Sequence, residues 1–151
     1  MEYSANGWLA SKDPNEIHIR GFAIKGTDIR IRCAESCGLV LAAFASEFHH
    51  LVEPINVGTY DDWGYAYRPI RGETTGLSNH SSGSAIDLNS VHHPLGKEKT
   101  FKPEQVTIIH ELTNKYHLRW GGDYKTRKDE MHFEIVQTPE QVKVLIKQQA
   151  L

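Results

Sequence analysis

The sequence predicts an α+β domain with an antiparallel sheet, and three observations lead there. The chain has 151 residues, 39% hydrophobic and 24% charged, which suits one domain spanning residues 1–151 and argues against disorder. Runs of alternating polarity and stripes of helical spacing both occur. They are mixed without the regular strand–helix alternation that repeated βαβ units require.

The elements follow in order. The first 30 or so residues are punctuated by Gly and Pro, with an alternating run at Asp28-Ile29-Arg30-Ile31-Arg32 that reads as a strand or strand-like arm. A helix is predicted from about Ala34 to Leu51, because Cys37, Val40, Leu41, Phe44, Phe48 and Leu51 recur three and four apart. Pro54 stops it. Asn56 to Asn79 reads as a loop around a short strand at Gly64 to Arg68. Ser84 to Asn89 alternates as a strand, and Val91 to Phe101 is a loop with Pro94 and Gly96. A second helix starts near Pro103, with Val106, Ile109, Leu112 and Tyr116 inward. Leu118-Arg119-Trp120 reads as a strand ended by Gly121-Gly122, and Met131 to Val136 as another. A last helix opens with Thr138 as cap, Pro139 in the first position and Gln141 as capping-box partner.

Bulk properties narrow the function. A formal net charge of −2 gives no nucleic-acid footprint. The most apolar stretch, Gly38 to Ser46, is too short to span a bilayer, so no membrane insertion is expected. The opening MEYSANGWLASKDPNE has neither a basic start nor an apolar run, and it does not read as a secretory signal. Cys33 and Cys37 are too few for a disulfide framework or a four-cysteine zinc site, and read as small buried apolar residues.

Two segments carry chemistry. Ser78-Asn79-His80-Ser81-Ser82-Gly83-Ser84-Ala85-Ile86-Asp87 sets a His and an Asp seven apart, with Gly and Ala letting backbone pass close to a ligand. Asp129-Glu130-Met131-His132-Phe133-Glu134 puts a carboxylate three residues ahead of a His that opens a strand. Two imidazoles and one carboxylate suit a catalytic zinc with one position left for water, whose pKa then falls to about 7. A separate carboxylate must accept the proton of that water, and Asp129 is chosen over Glu130, which a strand would point to the opposite face. Glu134 either orients a ligand by hydrogen bonding or is solvated.

These motifs resemble a known family. Ser78, His80, Gly83, Ala85 and Asp87 match Ser-x-His-x-x-Gly-x-Ala-x-Asp, and Asp129 and His132 match acidic-x-x-His. Together they resemble the zinc D-Ala-D-Ala carboxypeptidases of the VanY type and the related phage L-Ala-D-Glu endopeptidases. Leu77-Ser78-Asn79-His80, Trp120-Gly121-Gly122-Asp123 and Asp129…His132-Phe133-Glu134 are worded as in the endolysin branch. The resemblance runs from about Gly64 to Val136, within a catalytic core at about 56–136. It implies a hedgehog/DD-peptidase-like fold whose central sheet carries one Zn2+ held by His80, Asp87 and His132. It also implies Asp129 as general base and Arg68, with Arg71 as rival, as the arginine that steadies the scissile carbonyl or a substrate carboxylate.

The expected activity is hydrolysis of the stem peptide of peptidoglycan by a monomer made in the host cytoplasm and acting on the wall after release. An L-Ala-D-Glu endopeptidase stands first and a D-Ala-D-Ala carboxypeptidase second. A zinc-containing wall-binding module without catalysis is the reading from another class. His49, His50, His92 and His93 read as surface or loop residues, with His93 near enough to Asp87 to line the cleft. Trp120 and Tyr124 are candidates for a cleft wall, with core packing as the other role for Trp120. Ser78 and Ser81 are not nucleophiles on this reading, because zinc activates water instead. Lys97, Lys99 and Lys102 form a solvated basic cluster.

Overall fold

Phe133 and Ile135 alternate along one strand with His132 and Glu134, and this period-two split assigns one face of the central sheet to the core and the other to the site. The computed structural model describes residues 1–55, 59–73 and 75–151. In chain order they form β1 (Glu2–Tyr3), β2 (Leu9–Ala10), β3 (Ile19–Ala23), β4 (Arg30–Ala34), α1 (Gly38–Leu51), a 3-10 turn (Asn79–Ser82), β5 (Ala85–Asp87), α2 (Pro103–Tyr116), β6 (Leu118–Trp120), a second 3-10 turn (Gly121–Asp123), β7 (His132–Ile135) and α3 (Pro139–Gln148). The α+β expectation holds. The central sheet has order β5-β7-β6, and both of its pairings are antiparallel. Two hairpins, β1-β2 and β3-β4, stand beside it.

The core lies between the central sheet and α1. Phe133 projects onto α1, with ring centroids 4.6 Å from Phe44 and 5.8 Å from Phe48. Ile86, its cross-strand partner, is fully buried, and Val40, Leu41, Phe44, Ala45 and Phe48 form the apolar face of α1. Burying a side chain of this size contributes about 1.5–3 kcal/mol, so these pairs anchor the sheet on the helix. Trp120 is also core: it is buried, stacks at 6.5 Å on Phe133, and its Nε1 donates to the Glu130 carbonyl at 2.8 Å. Cys33 and Cys37 are both free and buried, and burial pushes both thiols up, as expected of packing residues. No helix among the described residues is long and apolar enough to cross a membrane.

Several elements differ from the sequence expectation. The first long helix begins at Gly38 rather than Ala34, because Ala34 ends β4 and gives its N–H to the Gly83 carbonyl at 2.9 Å. The strand expected at Gly64 to Arg68 does not form. Those residues instead hold scattered backbone bonds, Tyr65 N to Arg32 O and Ala66 N to His80 O. The loop expected from Asn56 to Asn79 lies partly outside the described residues. The α3 capping box forms as read: Gln141 N donates to Thr138 Oγ1 at 3.2 Å, and Thr138 N to Gln141 Oε1 at 2.9 Å.

Gly83 joins the turn that carries His80 to the strand that carries Asp87. It sits at φ +70°, and a Cβ there would lie 2.5 Å from the Ala34 nitrogen and 2.5 Å from Ile19 Cδ1. Left-handed backbone costs an L side chain about 1–2 kcal/mol, and overpacking adds about 1–3. Gly83→Ala is therefore expected to destabilise the fold by about 2–5 kcal/mol. Urea unfolding measures this, and a loss below about 1 kcal/mol would show that the contact with β4 yields easily.

Candidate metal centre and catalytic cleft

β5 and β7 pair so that Asp87 stands directly opposite His132. Directly opposed residues of an antiparallel pair point to the same side, so the register alone brings carboxylate and imidazole together. His80 arrives from the 3-10 turn. Ser78 caps that turn by accepting from His80 N at 3.2 Å, and the left-handed Gly83 ends it. Ala85 faces Glu134 across the pair, and its small side chain leaves that face open.

The three donors converge. His80 Nε2 lies 3.1 Å from Asp87 Oδ1 and 3.2 Å from His132 Nδ1, and His132 Nδ1 lies 3.1 Å from Asp87 Oδ1. Among the described residues this is the one cluster of His, Cys, Asp or Glu placed to hold a metal ion. Tetrahedral zinc with ligands at about 2.0–2.1 Å spaces them about 3.3 Å apart, close to this triangle. The second ring nitrogens fit as well. His80 Nδ1 donates to the Gly64 carbonyl at 2.7 Å, and His132 Nε2 donates to Glu134 Oε1 at 2.8 Å. Each bond occupies the outward nitrogen and turns the other toward the shared point, where a bound metal would take the place of its proton. The donor set therefore fits a zinc ion.

The electrostatics follow from burial and close pairing. Burial works to raise the Asp87 carboxyl, but His80 and the hydrogen bonds from His132 and His80 hold it well below the usual carboxylate range. Burial works to lower His132, but hydrogen bonds to Asp87 and Glu134 carry the imidazole up to about 10. Glu134 is buried too, yet His132 keeps its carboxyl low, and it also accepts from Tyr124 Oη at 2.5 Å. Glu134 is thus an orienting partner of His132 and not a solvated residue.

Asp129 lies at the mouth of the same strand, where burial raises its carboxyl above the usual range. Its Oδ1 is buried with no hydrogen-bond partner in the protein. Leaving such an atom unpaired costs about 1–3 kcal/mol and calls for a reason, a catalytic role being one. The backbone of Asp129 is clamped: its N–H donates to Gly121 O at 3.0 Å, and its carbonyl accepts from His132 N at 3.1 Å. A Cβ on Gly121 would fall 2.1 Å from the Asp129 oxygen, so only glycine fits there. Glu130 points elsewhere, as alternation predicts, and accepts from the N–H groups of Lys99 and Thr100.

Arg68 is half-buried beside the triad. Burial and the neighbouring Arg71 depress its guanidinium, while Asp87 and Asp129 pull the other way. Its backbone is pinned to the His80 turn, since Arg68 N donates to Ser81 Oγ at 3.0 Å and Ser81 Oγ to Arg68 O at 2.9 Å. Ser78 and Ser81 thus position Arg68 and His80. Arg68, Arg71, Arg119, Tyr124, Asp129 and His132 are among the residues lining a cleft of about 690 Å³. A separate hollow of about 740 Å³ beside α2, lined by Thr107, His110 and Val136 among others, includes none of the triad.

His93 corrects the sequence reading. It is buried and is absent from the cleft lining: its ring stacks on Phe101 at 3.8 Å, Nε2 meets Glu53 at 2.8 Å and Nδ1 meets Thr100 Oγ1 at 2.6 Å. Sequence reasoning missed Gly64 and Gly121, whose carbonyls hold His80 and Asp129. The Gly121-Gly122 pair is visible in the sequence as a strand end and as part of the endolysin-like wording, but neither signal names its contact with Asp129.

The comparisons with known proteins agree with this site. No curated protein and no solved structure matched the chain. Residues 71–135 match the model of a family described as D-alanyl-D-alanine carboxypeptidase. The matched span includes His80, Asp87, Asp129 and His132. Over that span, less than half of its length, the chain is similar to the D-alanyl-D-alanine carboxypeptidase family, the kinship to which its own motifs pointed.

Proposed function

We propose that the chain is a zinc-dependent endopeptidase that cuts between L-Ala and D-Glu in the stem peptide of peptidoglycan, as a phage lysin does. The observation that carries peptide hydrolysis is the buried, unpaired Asp129 Oδ1 beside three converging metal donors. A site that only binds would bear the desolvation of that oxygen without using it, which speaks against a purely wall-binding module. The choice of bond rests on the endolysin-like wording around His80, Trp120 and His132. A D-Ala-D-Ala carboxypeptidase is the second reading, favoured by the description of the matching family.

His80, Asp87 and His132 would hold the zinc ion. When bound, it supplies Lewis acidity and a water acidic enough to ionise near neutral pH. The chain's residues do the rest. Asp129 Oδ1 accepts the proton of the attacking water and returns it to the departing amine. Arg68 holds the negative charge that develops on the scissile carbonyl oxygen, in place before the reaction begins. Glu134, itself held by Tyr124, keeps the His132 ring turned inward. The Gly64 carbonyl does the same for His80.

Two sets of variants test these roles. Asp129→Asn is expected to keep one zinc per chain by metal analysis while turnover falls at least about 100-fold, whereas His132→Ala loses both. Near-wild-type turnover in Asp129→Asn would remove it as the base. Glu134→Ala is expected to weaken zinc about 10–100-fold in competition with a chromophoric chelator, and unchanged affinity would show that its bond to His132 is dispensable. Mass spectrometry of digested peptidoglycan decides the bond: a new amino terminus at D-Glu establishes the endopeptidase, and free D-Ala establishes the carboxypeptidase.

A further inference from the structure

The cleft is cationic beyond what the metal chemistry uses. The chain as a whole carries a formal net charge of −2, yet Arg68, Arg71, Arg119, Lys125 and Arg127 all line this one cavity. Of the four carboxylates on the same walls, Asp129 and Glu134 belong to the metal centre, and Asp123 pairs with His110 at 2.8 Å. Glu73 is the fourth. Among the described residues, none of the ion pairs involves Arg71, Lys125 or Arg127.

Arg127, on the exposed rim of the cleft, lies against two glycine turns. A Cβ on Gly72 would lie 3.4 Å from its Nη1, and one on Gly96 would lie 3.8 Å from its Nε. Both glycines sit at positive φ, +81° and +88°, so two turns meet the guanidinium without side chains of their own. Arg71 lines the same cleft, next in sequence to Gly72, and repels Arg68. Like charges crowded in a walled cavity focus a field that favours an anion, and the planar guanidinium fork matches a carboxylate.

We infer that Arg71 and Arg127 form a second anion subsite that reads free carboxylates on the stem peptide, so that the substrate is the acidic stem and not its amidated form. This rests on the proposed reading of the site as a stem-peptide hydrolase. γ-Linked D-Glu offers its α-carboxylate for such a subsite, and amidation removes the charge while leaving the shape almost unchanged. Arg68 serves the scissile carbonyl, so the two cationic regions have separate tasks.

The test compares two synthetic pentapeptide stems, identical except that the side carboxylates are free in one and primary amides in the other. A pentapeptide contains both candidate bonds, so either activity is seen. Cleavage is measured with the zinc-loaded protein, and binding by calorimetry with the zinc-loaded Asp129→Asn variant. The free acid is expected to be preferred roughly tenfold or more in both, as a charge-assisted contact predicts. R71Q and R127Q should each reduce that preference, and together abolish it, while the amidated peptide changes little. Equal constants for the two peptides, a preference that survives both substitutions, or no binding of either peptide would overturn the subsite. Selective binding without cleavage of either bond would keep the subsite and remove the proposed hydrolysis.

Discussion

The antiparallel pairing of β5 with β7 is the constraint on which the site depends. Asp87 opposite His132 is a matter of register, and register in a sheet has only two outcomes for a side chain, one face or the other. A slip of one residue would send His132 and Glu134 into the core and put Phe133 in the cleft. What forbids the slip is the packing of Phe133 and Ile86 beneath α1. The hydrophobic core thus does more than stabilise: it selects which atoms meet at the candidate metal centre. The same pairing sets Glu134 two residues further along the same face, within reach of His132.

Around this pair the chain uses backbone as much as side chains. Gly64 O, Gly121 O and the serine hydroxyls of the 3-10 turn each hold a functional residue in place. On the far side of Asp129, a buried chain of hydrogen bonds runs from Glu53 through His93 and Thr100 to Glu130. That chain ties the end of α1 to the loop before α2 and to the residue following Asp129. Buried polar networks of this kind rigidify when fully satisfied, and each member here has its partners. The cleft therefore rests on a frame fixed from both sides, with the unpaired oxygen of Asp129 as its exception.

The sequence revealed much of this, for physical reasons that can be named. Period-two alternation exposed β7, helical spacing exposed α1 and α2, and the Thr138, Pro139 and Gln141 signature exposed α3 to the residue. The triad was legible because metal ligation restricts residue types, and its motif also matched a family pattern. Of the N-terminal hairpins only β4 was legible, through the alternation at Asp28 to Arg32. β1 and β2 are two residues each, too short to show a period, and β3 has Gly21 in its middle. The missing strand at Gly64 to Arg68 was a different failure. Its backbone bonds go to β4 and to the His80 turn, partners that local pattern does not name. His93 looked like a surface residue because adjacent histidines carry no burial signal until the Glu53 and Thr100 partners are brought near.

The bare α-carbon of Gly121 sets the terms on which such a protein can change. Its hydrogen atom faces the Asp129 carbonyl, the same oxygen that accepts from His132 N, so a methyl group placed there would press on Asp129 and, through that bond, on a residue of the triad. That one position therefore ties together two parts of the site that the sequence writes three residues apart. A descendant that gained a side chain at Gly121 would disturb both at once, and neither could drift free of the other while the turn stays as it is.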